Sequence, residues 1–159
     1  MATKINKKFP YTACGFTLSE VMLSISIMLM LSATSFYYFS KGESSHALEK
    51  DRQGLIAVLE EARSLTIASK KALSYGVQIE TDAAYLFEGI SYTAGNSTNK
   101  IFRFNPKIHA SNINLTSGSS VVFSRLTGEA AITGTITLSL ISDSGVFKTI
   151  TILNTGVIQ

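Results

Sequence analysis

A single cysteine, Cys14, excludes an intramolecular disulfide. CxxC pairs and Cys/His clusters of metal-binding spacing are absent, and so are the GxGxxG and P-loop patterns that cradle phosphates. The two histidines, His46 and His109, have no partner at a spacing that builds a metal site or a catalytic triad. Each is read as solvated, His109 in a loop after Pro106. Glu60 and Glu61 are adjacent, so on a helix they face different directions and cannot act as an acid/base pair. No catalytic residue, metal or cofactor is therefore assigned, and the chain is not expected to be an enzyme.

Charge is scarce too, at 16% of residues. The net charge of +3 resides in Lys4, Lys7 and Lys8; beyond residue 15, 11 basic residues face 11 acidic ones. Bulk charge thus gives no electrostatic footprint for nucleic acid. The three lysines read as topology signals, holding the N-terminus in the cytoplasm with the C-terminal domain across the membrane.

Between Val21 and Ser40 no charge occurs at all, across 20 residues dominated by Met, Leu, Ile, Phe and Tyr. A helix of that length spans about 30 Å, the thickness of a bilayer's hydrocarbon core. The stretch is too long for a secretory signal and lacks a small-residue cleavage site after it. "YTAC" at 11–14 does not fit a lipid-anchor signal, because the apolar stretch follows the cysteine instead of preceding it. A plain single-span anchor accounts for length and lysine bias. It leaves Glu20 as an acid that merely sits at headgroup level, although an ionisable residue within a span is functional by default.

Taken together, a short basic leader, "GFTLSE" at 15–20 and an apolar helix resemble the class III signal of type IV prepilins and type II secretion pseudopilins. The resemblance implies cleavage between Gly15 and Phe16 by a prepilin peptidase that also methylates the new amine of Phe16. It implies that Glu20 pairs with such an amine on a neighbouring subunit, fixing register. Ser19 stands where the family usually has an aliphatic residue. Implied partners are the peptidase, other pilin or pseudopilin subunits, the membrane and an assembly platform. Residues Ser19, Ser24, Ser26, Ser32 and Ala33 either let helices approach closely or bond back to their own helix.

Farther on, Leu48, Leu55, Leu59, Ala62, Leu65 or Thr66, Ser69 and Leu73 recur at helical spacing. Neither proline, Pro10 or Pro106, lies between 16 and 74, so one long helix is expected, weakened at Gly42 and Gly54. From residue 75 the period becomes two. "LSYGVQIE", "AYLFEG", "IFRF", "NINL", "SVVFS" and the hairpin "GTITLSLIS–DSG–VFKTITIL" read as strands. The expected organisation is a leader (1–15), a membrane or filament-core half-helix (16–40), an amphipathic half-helix (41–74) and an antiparallel β head (75–159). The fold class is α+β, pilin-like, with the helix packed on an antiparallel sheet.

The tail, with Gly128, Gly134 and Gly156 around its strands, is similar to H-type minor pseudopilins and FimT-type minor pilins (GspH/FimT). A minor pilin or pseudopilin of a pilus or secretion machine is thus the leading expectation, in the cytoplasmic membrane with the C-terminal domain outside. Some FimT-type proteins are linked to DNA uptake. For that alternative Arg103, Lys107 and Arg125 would have to gather on one surface, with Tyr92 and Phe102 for stacking; nucleic acid is otherwise not expected as a partner. An uncleaved, membrane-anchored binding domain is the remaining alternative.

Overall fold

The computed structural model describes residues 15–159, the side chains of 36–42 excepted. Lys4, Lys7 and Lys8 lie outside the described residues. The chain divides into two compact units, Met1–Ser40 and Lys41–Gln159. Its class is α+β, an N-terminal apolar helix with antiparallel sheets.

Helix α1 runs Leu18–Ile67. Within the second unit its inward stripe follows the expected spacing: Leu48, Leu55, Leu59 and Ala62 are fully buried. Of the pair Leu65 and Thr66, it is Thr66 that turns inward. A buried hydroxyl needs partners. Thr66 Oγ1 donates to the Ala62 carbonyl at 2.8 Å and accepts the Tyr75 N–H at 2.9 Å.

The helix stops at Ile67, short of the expected Ser74. Ser69 is left-handed (φ 49°, ψ 36°). Its N–H closes on the Thr66 carbonyl at 3.0 Å, and a short 3₁₀ turn, Lys70–Ala72, follows. Ser69 and Leu73 therefore leave the helical face. The tie from Thr66 to Tyr75 is what turns the chain back into the first strand.

Gly54, expected to be a weak point of the helix, has a packing role. A Cβ there would collide with the Phe102 ring, so the missing side chain lets the sheet approach the helix.

The strands are β1 (Tyr75–Ile79), β2 (Ala83–Glu88), β3 (Lys100–Arg103), β4 (Ile108–Leu115), β5 (Ser120–Val122), β6 (Gly134–Leu140) and β7 (Phe147–Ile152). They form two antiparallel sheets where one was expected, in the orders β3-β2-β1-β5 and β4-β6-β7. The chain first leaves one sheet for the other at Asn105-Pro106, returns for β5 and crosses again before β6. Proline has no N–H to continue a ladder, and the Asn105 N–H is already bonded to Asp51 Oδ2 of α1 at 2.6 Å. Inward residues of both sheets, among them Val77, Leu86, Val121, Ile136, Leu138 and Ile150, share one core with the α1 stripe.

Asp51 is only 7% exposed and acts as a pin between helix and crossover. Hydrogen bonds to charged groups contribute about 1.5–3 kcal/mol. Asp51→Ala should thus lower stability by about 2 kcal/mol in urea unfolding, whereas Asp82→Ala, at an exposed position, should shift it by less than about 0.5 kcal/mol.

The hairpin β6–β7 forms as expected around Asp143–Gly145, where Asp143 Oδ1 accepts the Gly145 N–H at 3.0 Å. Strand β4 begins at Ile108, earlier than expected, and carries a bulge between Ala110 and Asn112. His109 accordingly lies in a strand and not in a solvated loop. It is half-buried, and its Nδ1 is sealed without a hydrogen-bond partner. His46 is exposed on α1, as expected.

Candidate functional site

The start of α1 is built by four residues. Gly15, Phe16 and Thr17 precede the helix, and Phe16 is 86% exposed. A side chain added at Gly15 would meet nothing within 4 Å. Thr17 is the N-cap: its Oγ1 accepts the Glu20 N–H at 3.3 Å. Glu20 reaches back, its Oε2 accepting the Thr17 N–H at 3.0 Å and the Thr17 hydroxyl at 2.9 Å. This is a reciprocal capping box, which satisfies two orphan donors at a helix N-terminus. Glu20 also complements the positive end of the helix dipole.

Capping is a role for Glu20 beside the two that the sequence suggests, a seat at headgroup level and pairing with a neighbour's amine. The signal was present in the letters, since Thr-x-x-Glu immediately before an apolar run marks a helix start.

Beyond the cap, Leu18–Ser35 is long and apolar enough to cross a membrane. None of it is buried within the chain, and Leu18, Met22, Met28 and Met30 are each more than half exposed. Apolar surface of this extent requires lipid or other helices around it. Three of the serines bond back to their own helix. Ser24, Ser26 and Ser32 donate to the carbonyls of Glu20, Met22 and Met28 at 2.7–2.8 Å. Ser19 Oγ instead lies 3.1 Å from Thr17 Oγ1. With their hydroxyls satisfied internally, these serines present small surfaces to whatever surrounds the helix.

The basic residues of the C-terminal unit do not form the cluster that phosphate contacts need. Arg103 ends edge strand β3, level with Ala83. Arg125 follows β5 at the opposite edge, past Phe123, whose N–H bonds to the Tyr75 carbonyl at the other end of β1. Three strand spacings and most of a strand's length put the two backbones about 20 Å apart. Lys107 lies in the β3–β4 connection, on the Arg103 side. Tyr92 packs against Tyr85 and Phe87, with centroids 5.6 and 5.7 Å away, and burial pushes its hydroxyl pKa up. Phe102 lies over Gly54 and edge-on to Phe104. Both aromatics are half-buried against these neighbours.

Other cations are engaged locally. Lys71 bonds Glu88 at 2.6 Å, which raises the lysine pKa, and Lys100 bonds Glu61 at 2.6 Å. Arg63 donates to the carbonyls of Gly128 and Thr155. Among the described residues no group of three or more His, Cys, Asp or Glu side chains is placed to hold a metal ion.

No protein-family model, characterised protein or solved structure matches the chain.

Proposed function

We propose that the chain is a pilin-like filament subunit, a minor pilin or pseudopilin of the GspH/FimT type, made as a membrane precursor and cut between Gly15 and Phe16. The observation that carries this reading is the juxtaposition at the start of α1. An exposed, unobstructed Gly15–Phe16 bond stands just outside a helix whose only charge through Ser35 is Glu20.

Each part has a chemical use. A glycine before the cut leaves a peptidase pocket unhindered. Cutting there creates an α-amine at the positive end of the helix dipole, where it needs a counter-charge. In a low-dielectric helix bundle that counter-charge is the Glu20 carboxylate of a neighbouring subunit, and pairing the two fixes register. Residues 16–40 then form the filament core, residues 1–15 remain on the cytoplasmic side and are released, and the sheets face outward.

Intact-mass analysis of the membrane fraction should show a mature chain that begins at Phe16 and carries one extra methyl group. Gly15→Leu should leave the leader attached. Retention of residues 1–15 in the native chain would return Leu18–Ser35 to the role of a plain anchor.

A further inference from the structure

The outer face of the β4-β6-β7 sheet carries no charge. In these three strands Lys148 is the only charged residue. It lies on the inner face, in register with Leu138, and reaches Glu49 Oε2 at 3.5 Å. The outward positions instead form a grid. Asn112, Thr137 and Thr149 make one cross-strand row, and Asn114, Thr135 and Thr151 make the next. Rows lie about 6.8 Å apart, and neighbours within a row about 4.8 Å. The letters that encode the grid are "NIN", "TIT" and "TIT", with each isoleucine turned into the core.

A third row ends the grid differently. His109, Ser139 and Phe147 are in register across the three strands. Ser139 is on the outward side by alternation with Leu138 and Leu140, yet it is only 1% exposed, and its Oγ has no hydrogen-bond partner. The His109 Nδ1 opposite it is likewise sealed and unpaired. Unpaired buried polar groups are exceptions in folded proteins, and each calls for a physical reason. Two of them stand side by side here. The flanking Phe147 ring is 57% exposed. The register neighbours of Ser139 are His109 and Phe147, so a ligand that takes up the serine hydroxyl has to displace a side chain of this row.

We infer that this face binds an uncharged glycan strand, with the His109–Ser139–Phe147 row as the principal sugar subsite and the Thr/Asn rows as its extension. A sugar ring has an apolar C–H face, which an exposed phenyl ring matches, and hydroxyls that both donate and accept. Serine, threonine, asparagine and imidazole side chains are the groups that answer both roles. The other classes of partner lack their requirements. A phosphate backbone needs cations, and the face has none. A protein interface needs an apolar centre, whereas Phe147 and its neighbour Ile141 stand at one end of the face. The inference holds whether or not the N-terminal segment is processed as proposed above.

The test uses the full chain in a detergent without a sugar headgroup, observed through threonine and isoleucine methyl NMR. Cellohexaose, chitohexaose and maltohexaose are titrated separately. At least one should shift the Thr135, Thr137, Thr149 and Thr151 methyls saturably, with a dissociation constant of about 1 mM or tighter. Phe147→Ala and Thr149→Lys should each weaken that binding by about tenfold or more, with other methyls unmoved. Ser97→Lys, in the β2–β3 loop, should leave it unchanged. The inference is overturned if no hexasaccharide shifts these methyls, or if the shifts survive Phe147→Ala. It is also overturned if the methyls respond to protein concentration alone, which marks a second copy as the occupant, or to single-stranded DNA instead.

Discussion

Alanine at position 156 should lower the stability of the C-terminal unit by about 3–4 kcal/mol, while the same change at Gly95 should cost about 1 kcal/mol. Both glycines have φ +75°, so both variants carry the same left-handed strain. That strain costs an L-residue about 1–2 kcal/mol, partly offset because alanine also restricts the unfolded chain. Their surroundings separate them. Nothing lies within 4 Å of a Cβ at Gly95, but a Cβ at Gly156 would collide with the Gly128 carbonyl oxygen. That oxygen cannot move aside cheaply. It accepts Arg63 Nε at 3.1 Å, and Arg63 Nη2 also holds the Thr155 carbonyl at 3.2 Å. The Gly128 and Gly156 turns and helix α1 are thus locked through one guanidinium, and overpacking a locked site costs about 1–3 kcal/mol more. In thermal melts of the detergent-solubilised chain, Gly156→Ala should melt about 12–16 °C below the parent and Gly95→Ala within about 5 °C of it. Equal melting temperatures would show that only backbone strain, and not the Arg63 lock, makes glycine necessary at 156.

What the sequence made legible was what is local. Period-two runs of Ile, Leu, Val and Thr placed the strands within a few residues, and the Leu48–Leu55–Leu59–Ala62 stripe named the helical core face. What it hid was decided by tertiary contacts. No glycine or proline marks the end of α1, because the stop comes from Thr66 binding the Tyr75 N–H and from a left-handed Ser69. The first crossing between the sheets is pinned by Asp51, which holds the Asn105 N–H across 54 positions of chain, a contact no window of sequence contains. Arg63 ties two distant turns to the helix, and nothing in its local sequence marks it for that. Arg103 and Arg125 are close enough in sequence to suggest a cluster, yet the strand order sends them to opposite edges. At the candidate site the motif at 15–20 was visible in full. Its capping geometry is legible as well, in Thr-x-x-Glu.

The capping and pairing roles of Glu20 can be separated by one atom. Glu20→Gln keeps a carbonyl oxygen for the Thr17 N–H and hydroxyl, and glutamine serves at the third helical position of a capping box as glutamate does. The helix therefore stays capped, the Gly15–Phe16 bond stays exposed, and cleavage should proceed at the parent rate. What disappears is the charge. On the proposed reading, the mature amine of a neighbouring subunit then enters the helix bundle unpaired, at a cost of about 3–5 kcal/mol. That corresponds to a loss of about two orders of magnitude or more in the assembled fraction, read as mature chain in sheared filaments against mature chain in the membrane. Glu20→Ala removes charge and cap together, so it should assemble as poorly and also lose about 1 kcal/mol of helix stability. If Glu20→Gln assembles like the parent, the acid is a helix cap and nothing more. If only the alanine variant fails, the cap and not the charge is what assembly requires. Loss in both, with cleavage intact, assigns the carboxylate's charge to subunit registration.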